Sequence, residues 1–88
     1  MKIEYDKPAD ILTITIREAQ VMKSAEVRFG VGVDYDADGQ VFRFKITNAS
    51  EHIENVSQWK TNPQAILTQA MDRLAAAVSY SGNADDTN

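Results

Sequence analysis

The stretch "EVRFGVGVDYDADGQVFRFKI", residues 26–46, constrains the fold of this chain more than any other. Residues alternate with a period of two on both sides of Asp38-Gly39. Val27, Phe29, Val31, Val33 and Tyr35 share one face, and Phe42, Phe44 and Ile46 answer them. Period two is the geometry of a half-buried strand, and Asp-Gly between two such runs signals a hairpin turn. A two-residue turn would set Tyr35 opposite Phe42, Val33 opposite Phe44 and Val31 opposite Ile46. A four-residue loop keeps the same faces, so the pattern leaves the loop length open.

The N-terminal residues repeat the device. "MKIEY" and "ILTITIR" both alternate, and "DKPAD" between them holds an aspartate and a proline suited to a turn. Pairing Tyr5 with Leu12 and Ile3 with Ile14 puts the apolar residues on one face. "EAQVMKSAE", residues 18–26, is mostly polar and reads as a connection, with at most a short irregular strand. After Ile46 the period changes. Ser50 is a candidate N-cap for a short helix over 50–59 containing Ile53, Val56 and Trp59. Asn62-Pro63 then opens a longer helix over 62–80. Its apolar stripe is Ile66, Leu67, Ala70, Met71, Leu74, Ala75 and Val78, and Gly82 is the expected stop. The expectation is an α+β domain over 1–82: a four-stranded antiparallel meander of two hairpins (1–50), one face covered by the C-terminal helix. Residues 83–88 are expected to form a disordered tail.

Composition narrows the function classes. A chain of 88 residues forms one domain with a thin core, burying roughly 60–65% of its unfolded surface. It has no cysteine, which excludes disulfides and thiolate zinc sites. The formal net charge is −4, which disfavours nucleic acid as a partner. No run of about 18 apolar residues and no signal-peptide core is present, so the expected setting is cytoplasmic, without membrane contact.

Asp34, Asp36, Asp38 and Gly39 resemble the start of a calcium-binding EF-hand loop. Such a loop needs a bidentate acid at its twelfth position and helices on both sides. Counted from Asp34, the twelfth residue is Lys45, and the flanks are strands. The turn reading accounts for the same residues. A weaker metal reading follows from the expected meander, whose first and third connections share one end. It would gather Asp6, Asp10, Asp36 and Asp38 into an acidic rim, the basis of an alternative function as a cation-dependent enzyme.

Gly30 and Gly32, two apart, would leave a bare patch on the sheet face away from the core. Thr13, Thr15, Arg28, Arg43 and Lys45 would surround it, as a docking face. No third glycine and no helix follow, so a dinucleotide loop is not indicated. His52 is the only histidine and has no nucleophile motif beside it; it is expected on a solvated helix face. Trp59 is expected to anchor the junction of the two helices, with an interface role as the alternative. The wide stripe of the long helix, including Met71, Leu74 and Val78, offers a surface for a second copy of the chain.

Taken in order, "KIEYDKPADILTITI", "SAEV" and "GVGVDYDADGQVFRFKITNAS" resemble a bacterial family catalogued as domain of unknown function 2283. The shared features are Tyr5, Asp6, Ala9, Asp10 and Leu12; then Gly30, Val31, Asp34, Tyr35, Asp36 and Gly39; then Ile46, Ala49 and Ser50. They cover roughly the first fifty residues and leave the long helix outside. The resemblance implies a small, mostly β domain and supplies no catalytic residue and no cofactor. In size and charge, members resemble one half of toxin–antitoxin pairs. The expectation is therefore a non-enzymatic protein–protein interaction module that forms a homodimer, using Gly30, Gly32, Trp59, Met71, Leu74 and Val78. The alternative is an acidic antitoxin-like inhibitor of a basic protein.

Overall fold

The computed structural model describes residues 1–86, with side chains described through Ser79. Five strands precede the helices: β1 (Lys2–Asp6), β2 (Ile11–Thr15), β3 (Lys23–Glu26), β4 (Val31–Tyr35) and β5 (Val41–Thr47). Two helices follow, α1 (Ala49–His52) and α2 (Pro63–Asp86), with a 3₁₀ turn at Val56–Gln58 between them. The class is α+β with an antiparallel sheet, as expected.

Two features of the sheet correct the expectation. It has five strands, because "KSAE" pairs with β4 as Ser24↔Asp34, Ala25↔Val33 and Glu26↔Gly32. Its order is β1-β2-β5-β4-β3, so β2 pairs with β5 and not with the strand that follows it in sequence. Burial explains both. Leu12, Ile14, Phe44 and Ile46 are fully buried, so their strands take the centre. The polar segments "KIEYD" and "KSAE" take the edges, where one face and one backbone side can stay in water. The free hydrogen-bonding side of β4 needs a partner, and even a polar strand supplies one.

The N-terminal hairpin has the expected register, with Ile3↔Ile14 and Tyr5↔Leu12. The β4–β5 hairpin keeps Val31↔Ile46 and Val33↔Phe44, but Tyr35 pairs with Val41 and not with Phe42. Its loop has three residues. Gly39 donates its N–H to the Asp36 carbonyl at 3.0 Å, and Asp36 donates to Gln40 at 2.9 Å. Gly39, at φ 78°, occupies the left-handed position that such a loop requires. An odd loop shifts the register by one, and an irregularity at Asp34/Tyr35 shifts it back.

The alternation expected from Val27 to Tyr35 is also broken. Phe29 (φ 60°) and Gly30 (φ 71°) form a tight turn in which Val31 donates to the Arg28 carbonyl. Phe29 therefore leaves the core face and is 45% exposed.

The core lies between the inner sheet face and the helices. It joins Leu12, Ile14, Val31, Val33, Phe44 and Ile46 to Ile53, Val56, Ile66, Ala70 and Ala77. The α2 helix lies against β4 and the 3₁₀ turn. It opens at Pro63 as expected and continues through Gly82 to Asp86. A glycine inside a helix costs only about 1 kcal/mol relative to alanine, and no proline follows to force a stop. The expected tail thus begins as helix, and residues 87–88 lie outside the described residues.

Candidate functional site

The residues singled out in the sequence fall into four places. The first is a knot centred on Asp10. The β1–β2 turn holds Asp10 at φ 56°. Its Oδ1 accepts hydrogen bonds from the Tyr5 hydroxyl at 2.6 Å and the Ser50 N–H at 2.9 Å. Its Oδ2 accepts from the Ser50 hydroxyl at 2.6 Å, and its carbonyl accepts from the Ala49 N–H at 3.0 Å. Ser50 is therefore not an N-cap. Asn48, at φ 52°, stands in that position, and the Ser50 side chain reaches across to the turn. The Ser50 hydroxyl and then Tyr5 hold the Asp10 carboxyl below the ordinary aspartate range, against a smaller opposing effect of burial. The same bond to Asp10 pushes the Tyr5 phenol up. His52 is half-buried near this knot, and not on an open helix face. Every polar atom named in the knot is spent on holding β1, β2 and α1 together. The Ser50 hydroxyl donates to a carboxylate, the Asp10 Oδ2.

The second place is the acidic rim, and the sheet order takes it apart. Because β2 pairs with β5, the β1–β2 turn lies beside Thr47 while the β4–β5 turn lies at the other end, beside Ile16 and Arg17. Asp6 and Asp10 are thus separated from Asp36 and Asp38 by the length of the sheet. Among the described residues no group of three or more acidic, histidine or cysteine side chains is placed to hold a metal ion. Asp36 instead organises its own loop. It accepts from the Asp38 and Gln40 N–H groups and pairs with Arg17 at 2.7 Å. The Gln40 N–H, ahead of Arg17 and the Asp38 N–H, holds its carboxyl low, burial acting the other way.

The third place is the outer sheet face. Gly32 lies there on β4, with a shallow concavity of about 280 Å³ bounded by Ser24, Glu26, Asp34 and Lys45. Thr13 and Lys45 share its cross-strand row, and Thr15 and Arg43 the next. Gly30 does not belong to this patch. It sits in the turn before β4, where an added Cβ would meet the Thr47 hydroxyl at 2.9 Å. Asp34, grouped with the loop acids in the sequence, is buried on this face. It accepts from Ser24 and from the Arg43 Nε, both at 2.6 Å. Burial pushes its carboxyl up, but these bonds and the charges of Arg43 and Lys45 outweigh it, and the net direction is down. No sequence signal marked Ser24–Asp34–Arg43, because the three residues meet only through strand pairing.

The fourth place is α2. Ile66, Ala70 and Ala77 are buried against the sheet. Leu67 and Leu74 are half-buried, while Met71 is 36% and Val78 is 52% exposed. At about 100° per residue, these four share a flank beside the buried line, where Leu67 and Leu74 pack against the core and Met71 and Val78 stay open. On the opposite flank the Arg73 guanidinium lies 5.8 Å from the Phe29 ring centre. Trp59 is half-buried and packed on the core, as an anchor would be, with Lys60 stacked 5.2 Å from its ring.

No helix among the described residues is long and apolar enough to cross a membrane. No curated protein and no solved structure matches the chain. A family model does, over residues 2–50, the span that runs from β1 to the Asp10–Ser50 knot. The chain belongs to the family described as "Protein of unknown function (DUF2283)".

Proposed function

We propose that this domain is a non-enzymatic protein–protein interaction module that self-associates through α2. The observation that carries the reading is the half-covered flank of that helix, on which Met71 and Val78 are exposed and Leu67 and Leu74 half-buried. Leu67, Met71, Leu74 and Val78 follow one another at spacings of four, three and four. That is the 3.5-residue repeat with which one helix seats side chains between those of another. The partner in this reading is a second copy of the chain, because the seam offers the same apolar row to its own image. No charged residue lies within it. In a domain this small, covering such a row adds usefully to a thin core.

Light scattering after size exclusion tests the reading. The expected mass is at least twice the 9.8 kDa of one chain. Leu74→Glu, which places a charge in the middle of the seam, should lower that mass while circular dichroism stays native-like. A wild-type monomer at high protein concentration would overturn the proposal.

A further inference from the structure

The open edge of the sheet at β1 is self-complementary. We infer that β1 pairs antiparallel with β1 of a second copy about Ile3, joining two five-stranded sheets into one of ten strands. This extends the self-association proposed above to a second surface and does not depend on the α2 seam.

Among the described residues, the β1 strand has β2 as its only neighbour in the sheet. The hydrogen-bonding phase follows from β2. Ile16 donates its N–H to the Phe42 carbonyl, so the even residues of β2 serve β5 and its odd residues serve β1. Thr13 and Thr15 stand opposite Glu4 and Lys2. The backbone groups of Glu4 and Lys2 are then turned toward β2, and those of Ile3 and Tyr5 toward the open edge. Side chains alternate independently. Ile3 and Tyr5 lie half-buried on the core face, and Lys2 and Glu4 lie on the outer face, 3.8 Å apart and largely exposed.

Charge selects the register. Across a two-fold axis, directly opposite residues must lie on the same sheet face, so a two-fold centre falls on a single residue. Centred on Ile3, Lys2 faces Glu4 of the second copy and Glu4 faces its Lys2, while Ile3 meets its own image on the core face. Centred on Lys2 or Glu4, like charges stand opposite each other. Centred on Tyr5, Glu4 faces Asp6. Only the Ile3 centre avoids every like-charge pair, and across an antiparallel pair directly opposed unlike charges stabilise while like charges destabilise. The other edge, β3, offers no unlike-charge pair to select a register. Lys23 and Glu26 lie on opposite faces and cannot meet across a two-fold axis.

The chain has no cysteine, so single-cysteine variants of the full chain report the geometry directly. Residues opposed in a hydrogen-bonded antiparallel pair have Cα atoms about 5.5 Å apart, within the range a disulfide spans. Under mild oxidation Ile3→Cys should form a covalent dimer and Lys23→Cys should not. Sedimentation equilibrium supplies the charge test. Glu4→Lys should raise the dissociation constant of the step it affects about tenfold, by replacing two attractive pairs with two repulsive ones. Adding Lys2→Glu to it should restore association. Failure of Ile3→Cys to cross-link, or a charge-swapped double variant as weak as the single one, would overturn the inference. Cross-linking that persists when Leu74→Glu is combined with Ile3→Cys would establish β1 pairing apart from α2. Loss of association in Leu74→Glu without any Ile3→Cys dimer would leave only the helix seam standing.

Discussion

Asp10 shows how much of this fold rests on one carboxylate. Its two oxygens collect Tyr5 and both groups of Ser50, and its carbonyl collects Ala49. Asp34 and Asp36 are held low in the same way by hydrogen bonds and cations. A carboxylate with a depressed folded-state pKa binds fewer protons folded than unfolded. Its stabilisation is complete above the unfolded value near 4 and fades as pH falls through the folded value. Thermal melts should therefore hold steady from neutral pH to about pH 5 and drop steeply below about pH 4. Asp10→Asn should lower the melting temperature at pH 7 and flatten that acid drop, since one of the linked groups no longer titrates. An unchanged acid slope would show that the knot contributes little. Gly39 is the second residue-level case. At φ 78° it occupies a conformation that costs an ordinary residue about 1–2 kcal/mol and a β-branched one more. Gly39→Val should thus unfold at clearly lower denaturant than wild type, with Gly39→Asn close to wild type.

Among the elements, β5 and α2 carry the arrangement. The β5 strand lies in mid-sheet between β2 and β4, and its outer face brings Arg43 to Asp34. Removing the guanidinium strands a buried acceptor, which costs about 1–3 kcal/mol. Arg43→Ala should lose stability on that order in urea melts, and Ser24→Ala, which leaves the stronger partner in place, should lose less. The α2 helix uses one line of its surface to close the core and leaves another open. A leucine in a tightly packed site costs about 2–5 kcal/mol on truncation to alanine. Leu74 is only half-buried in the single chain, so Leu74→Ala should cost less than that in dilute protein. The remainder should emerge as protein concentration rises, because the dimer linkage adds to apparent stability. A cost independent of concentration would place Leu74 in the intrachain core alone.

At the scale of the whole molecule, strand order governs the chemistry. With β2 paired to β5, the two acidic turns lie at opposite ends of the sheet, and four aspartates become two separate pairs. Millimolar calcium should accordingly leave the melting temperature unchanged. A rise of several degrees that is lost in Asp36→Asn would mean that the β4–β5 turn binds the ion alone. Local patterns were legible in advance where the physics is local. The period-two runs at Ile3–Ile14 and Val31–Ile46 set their own faces, because a slip of one residue would turn every apolar side chain into water. Asn62-Pro63 opened the long helix because a proline there forfeits no bond. Other features had no local signal. "KSAE" becomes a strand because β4 has an unpaired side. Phe29 leaves the core because a turn at Phe29-Gly30 interrupts the alternation. Asp10 meets Ser50 across forty residues only once β2 and β5 are side by side. Alternation and turn chemistry state which way each residue faces; which strands become neighbours is settled by competition among them for the fully buried centre of the sheet, and that competition exists only in the folded chain.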